Sequence, residues 1–160
     1  MNLLIGLHVG LGELGALAFL WVFVELLNPN KERITRAQKA VLIGVYALLA
    51  AWFIGGWYYV ATYGPIVKPI IKAGPYPWAH GIAMEAKEHI FIFIPILALV
   101  VYKLIESAGN RLEKEKKTSR AIATLSLLIV ILSFTIAGMG YFISSGARAG
   151  YESQSTTQNP

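Results

Sequence analysis

Four apolar runs dominate the chain, at about 2–27, 38–63, 84–105 and 121–145, with polar segments between them. Each covers the roughly 20 residues that a membrane-spanning helix needs. The pattern predicts an all-α protein, a four-helix transmembrane bundle forming one membrane domain over 1–146. Residues 65–82 read as an outer loop. The tail, 147–160, is polar and poor in large apolar residues, and is expected to be disordered.

Local signals set the expected boundaries. Asn28-Pro29-Asn30 stops the first helix, because proline disfavours helix in the residue before it. Thr35 reads as the N-cap of the second helix, and Trp57, Tyr58 and Tyr59 as an interfacial belt near its far end. Pro65, Pro69, Pro75 and Pro77, with Ile66, Val67, Ile70 and Ile71 between them, predict a segment that lies on the membrane surface or folds over the bundle mouth, as a loop or as a short interfacial helix. Pro77 suits the first turn of the third helix, and Pro95 is expected to kink it. Arg111 to Lys117 is a solvated charged segment, and Ser119 reads as the cap of the fourth helix, which is expected to end near Ser144-Ser145-Gly146.

Composition agrees: 56% of residues are hydrophobic, and the mean hydropathy is +0.56. Such a chain is too apolar for an ordinary soluble domain. The net charge of +5 points to no nucleic-acid partner, because topology accounts for its placement. Lys31, Arg33, Arg36 and Lys39 lie between the first two runs; Lys103, Arg111, Lys114, Lys116, Lys117 and Arg120 lie around the connection from third to fourth. The positive-inside rule puts both segments in the cytoplasm and both termini on the outer side of a cell membrane. The first run lacks a basic leader and contains Glu13, so it reads as a retained helix. The absence of cysteine excludes disulfides, thiolate metal sites and covalently attached haem. No nucleotide-binding loop or hydrolytic triad is present, so a stand-alone soluble enzyme has no support.

The chain also resembles itself. His8 and Glu25 are 17 residues apart, as are His89 and Glu106, with a displacement of 81 between the pairs. Thr35-Arg36-Ala37 parallels Ser119-Arg120-Ala121, and Ile54-Gly55-Gly56-Trp57-Tyr58-Tyr59 parallels Ile136-Ala137-Gly138-Met139-Gly140-Tyr141. These matches predict two tandem helical hairpins, 2–64 and 83–146, related by an axis along the membrane normal. They would set His8 and His89 at one depth, facing each other.

Chemistry concentrates in Pro77 to His89, which holds His80, Met84, Glu85, Lys87, Glu88 and His89. Ionisable groups are costly in a bilayer and usually face the bundle interior, a partner or a cavity. Haem iron takes axial ligands from two sides, and histidine is a common one. Gly12, Gly15, Gly56 and Gly138 offer clearance for a flat macrocycle. In helix count and histidine placement the chain resembles the small four-helix membrane cytochromes of b type. That resemblance implies a haem b held by His8 and His89, with electrons passing from a membrane donor such as quinol to an outer redox partner. Glu13, Glu85, Glu88 and His80 are then groups that orient the ligands or transfer protons, and Lys87 snorkels to the interface or to a haem propionate.

Other readings stay open. Each histidine can simply hydrogen-bond a neighbour, for example His89 to Glu85. Glu13, Glu85 and Glu88 with the histidines suggest an outward metal-handling or transport site, although the second and fourth helices lack buried charges. The Glu-x-x-His spacing of di-iron bundles is not met. Met84 and Met139 suit copper but are more simply packing residues. Glu25 and Glu106 are expected to snorkel or to pair with Arg36 and Arg120. The glycine and aromatic faces also fit an accessory subunit of a larger membrane complex.

Overall fold

The computed structural model describes residues 3–158, and these form four helical rods. The first is α1, Leu3–Leu27. The second is α2, Lys31–Tyr58, continued without a break by a π-helical segment, Tyr59–Val67, and by α3, Lys68–Ala73. The third opens with another π-helical segment, Ala79–Met84, and runs on as α4, Glu85–Ala108. The fourth is α5, Lys116–Gln158. All four rods are long and apolar enough to cross a membrane.

The neighbouring pairs are α1–α2, α2–α4, α4–α5 and α5–α1, so α1 stands diagonally from α4, and α2 from α5. Closest packing is between α1 and α2, where each helix takes a large side chain of the other. Leu48 fills the space over Gly15, and the Phe19 ring lies over Gly44. A side chain at either glycine would push the helices apart, which is how small residues drive association where lipid is as apolar as the partner. Gly15 is therefore a core packing residue and offers no clearance for a cofactor.

Several expected boundaries are corrected. Asn30, not Thr35, caps α2: its Oδ1 accepts from the Arg33 amide at 2.8 Å. Asn serves as well as Thr in that role and lies directly after Pro29. Thr35 instead donates to the Lys31 carbonyl within the first turn. Ser119 lies inside α5 and donates across the bundle to the Leu26 carbonyl at 2.6 Å, satisfying an orphan acceptor at the end of α1. α4 stops at Gly109, whose φ of +49° favours glycine. The Arg111 guanidinium turns back to the Ser107 carbonyl there.

The expected 65–82 outer segment is mostly helix, but as a continuation of the second rod and the start of the third and not as a separate interfacial helix; only residues 74–78 lie between the rods. Pro65 has no N–H, yet the chain absorbs it by widening the turn rather than ending the helix. The Lys68 amide reaches back five residues to the Tyr63 carbonyl. Buried positions accordingly change from spacings of three and four in α2 to every fourth residue at Tyr63, Val67 and Ile71.

The fourth rod likewise runs on past Ser144 to Gln158, through most of the tail expected to be disordered; residues 159–160 lie outside the described residues. Small residues explain it. Gly146 lets Ala79 approach, and Gly150 packs on the Ile70 backbone and on Gly74. At about 1.5 Å per residue, α5 is about 60 Å long, twice the roughly 30 Å of a hydrocarbon core.

Two apolar cores result. The larger is built from Phe19, Val22, Val41, Val45, Ile94, Val101, Ile122 and Ile129 among others. The smaller, at the end bearing the 74–78 turn, contains Tyr63, Val67, Ile71, Ala79, Ala83 and Ile143. Between them no residue is buried in 52–62, 84–93 or 134–142, nor in 3–14 of α1. This open layer is about three turns deep.

Candidate functional site

The two histidines expected to share an iron are not brought together. His8 reaches from α1 onto α2, where its Nδ1 bonds the Ala51 carbonyl at 2.8 Å and its ring lies over Gly55. Across the bundle it meets Phe91, edge to face, with centroids 6.0 Å apart. Phe91 in turn stacks on Trp52 of α2 at 6.4 Å. His89 lies two positions before Phe91, about 200° round the helix, so it faces out of the bundle. It is exposed, and its Nδ1 bonds the Glu85 carbonyl of its own preceding turn at 2.6 Å. The expectation of two rings converging on one centre is thus corrected. Helical phase puts Phe91, not His89, opposite His8.

Of the four glycines expected to give clearance, Gly12, Gly56 and Gly138 have open space where a Cβ would stand, and Gly15 does not. Glu13 and Glu85 are exposed. Among the described residues no three or more His, Asp or Glu side chains gather closely enough to hold a metal ion.

A different cluster does form, in the smaller core. His80, in the expected 65–82 outer loop, is 3% exposed and hydrogen-bonds the hydroxyl of Tyr63, itself 2% exposed, at 3.0 Å. The two residues lie on the two π-helical segments. Tyr59, one turn before Tyr63, stacks on it with centroids 5.4 Å apart. The Tyr59 hydroxyl stands against the Glu88 carboxylate. Glu88 Oε1 is buried and has no hydrogen-bond partner among the described residues. Lys68, Lys72 and Glu85 complete the charged surroundings of His80. Single-turn π-helical widenings recur at functional sites because they re-aim side chains without ending a helix. Here they carry both members of the Tyr63–His80 pair.

The adjacent residues Lys87 and Glu88 diverge into the open layer. Glu88 turns to the tyrosines of the second rod, whereas Lys87 reaches toward His8 and Gly140. That tyrosines would join the acidic and basic residues was not evident from residue types alone. Their i, i+4 spacing, Tyr59 to Tyr63, was the available signal, and it was masked by Pro65 just after them.

At the opposite end, Glu25 anchors the first hairpin. It accepts from Trp21 Nε1 at 2.9 Å, from Arg33 Nε at 2.8 Å and from Arg36 Nε at 2.6 Å. The expected Glu25–Arg36 pair is present. Glu106 pairs with Lys103 at 2.7 Å rather than with Arg120.

No protein-family model, no curated protein and no solved structure matches the chain.

Proposed function

We propose that the protein is a multi-pass membrane protein of the transport class, and that its outer polar cluster takes up and releases protons. The carrying observation is the buried Tyr63–His80 hydrogen bond beside Glu88, whose Oε1 lacks a partner. Buried polar groups in native folds are almost always paired, so an unpaired carboxylate oxygen calls for an occupant. A proton fits best: it needs no cavity, and it needs no third ligand of the kind a metal requires. Intramembrane carboxylates and histidines mark proton relays in pumps and transporters. In this reading the basic loops face the cytoplasm, and the smaller core, with both termini, stands at the outer surface of the cell membrane. The cyclic order of the helices suits two tandem hairpins, although His8 and His89 occupy unlike surroundings.

The test is proton flux into proteoliposomes under an imposed membrane potential. Wild type should acidify the lumen faster than protein-free vesicles. Glu88→Gln should fall to the protein-free rate, and Glu85→Gln should not. Equal rates for wild type and empty vesicles refute transport.

A second reading keeps the haem. His8 and His89 both give Nδ1 to a backbone carbonyl, which can only accept, so each Nδ1 carries its proton and Nε2 is left as the free nitrogen. Metal-bound histidines are oriented in the same way. As placed, the pair does not fit one haem between the helices. In this reading His8 holds it alone, from the open layer, and a reduced-state b-type absorption band is the observable.

A further inference from the structure

The amine of Lys87 has no role in the proton site, and it is out of place. It projects from α4 into the bundle, toward Gly140 of α5 and His8 of α1. Lys87 is half-buried, and within the described residues it makes no ion pair and no hydrogen bond. A cation in apolar surroundings is costly unless paired. Gly140 presents no side chain to the amine, a Cβ there standing 3.4 Å from Nζ. Gly12, one turn after His8 on α1, borders open space. The layer around them holds no buried residue. Phe91 stands behind His8 in this layer, and Glu88, the acidic residue next to Lys87, turns to Tyr59 instead of to the amine.

We propose that this layer is a binding site for an anionic amphiphile. A carboxylate or phosphate head pairs with Lys87, and its alkyl chain lies along the glycine-bearing faces of α1 and α5. Charge complementarity selects the head, since one unpaired ammonium faces the space. The membrane setting selects the tail, because a water-soluble anion would have to leave water with nothing to bring it to that depth. An amphiphile instead enters sideways from the lipid, between α1 and α5. This site stands apart from the Glu88–Tyr59–Tyr63–His80 cluster, which lies on the other flank of α4.

The test is calorimetric titration of the purified full chain in a neutral detergent. Three ligands are compared: dodecanoate, a single-chain lysophosphatidylglycerol, and dodecanol as the uncharged control. Dodecanoate or the lysophospholipid should bind saturably, and whichever binds more tightly identifies the free acid or the lipid headgroup as the source. Dodecanol should not bind. Lys87→Met should weaken binding about tenfold, the loss of one charge-assisted hydrogen bond, and Lys87→Arg should retain it. Equal binding of dodecanol, or binding unchanged in Lys87→Met, overturns the site. Should Lys87→Met fail to fold, Gly140→Leu fills the space before the amine and must produce the same loss; unchanged binding there is equally fatal.

Discussion

The imidazole of His8 donates its Nδ1 proton to the Ala51 carbonyl on the neighbouring helix, 2.8 Å away. That bond fixes the ring against Gly55 and leaves Nε2 free at the open layer. If the layer takes haem, His8 is its ligand and His89 is not. Protein made with haem available should then show a reduced-state b-type band that His8→Ala abolishes and His89→Ala leaves intact. A band lost equally in both variants would restore the shared-ligand arrangement; no band in wild type would remove haem from the account.

Orientation can be checked on intact cells. The basic residues of the 28–39 and 103–120 segments lie at the end opposite the 74–78 turn. A tag after Pro160 should be cleaved by external protease, and a tag inserted at Glu113 should be protected. The reverse pattern would turn the polar cluster to the inside.

The long helices were legible as apolar runs, and so was the diagonal placement of the first and third. Hydrophobicity and connection length decide both. The helical extensions were not. Pro65 and Pro69 read as breakers, because a chain of residue preferences does not reveal that a wider turn can absorb a missing N–H. The tail read as disordered because glycines and alanines count little toward hydrophobicity. Yet Ser119, Ser126, Ser133, Gly140 and Ala147 recur every seven residues along α5. That stripe of small residues, visible in the sequence, packs at its three buried serines, opens at Gly140 before Lys87, and continues past the expected end. Of the site, Glu88 and His80 were legible as chemistry. Their partners were not, because the face on which Tyr59 and Tyr63 fall depends on the π-helical register.

The last turns of α5 make their own prediction. Gly150 lies against the Ile70 backbone, so Gly150→Leu forces α5 away from the extension of the second rod. Overpacking of this kind costs about 1–3 kcal/mol. Residues 147–158 should lose hydrogen-exchange protection while the larger core keeps it. Unchanged protection would mean that the extension does not rest on that contact.

Glu25 supplies a stability test far from the site. Its side chain is 8% exposed and accepts from Trp21, Arg33 and Arg36. Glu25→Gln keeps the shape and removes the charge, which should cost about 2 kcal/mol, the scale of a hydrogen bond to a charged group. Thermal unfolding in detergent reads it. A transition as high as wild type would show that the cluster adds no net stability.

The central proposal is that Glu88 takes up and releases protons with the Tyr63–His80 pair beside it serving the exchange. A pH jump followed by infrared difference spectroscopy tests it most directly, since carboxyl bands absent from Glu88→Gln belong to Glu88. Those bands should respond to the jump in wild type. Tyr63→Phe, which removes only the hydroxyl bonded to His80, should slow the response markedly while leaving its midpoint in place. A Glu88 response as fast in Tyr63→Phe as in wild type, or no Glu88 band that responds at all, would contradict the account.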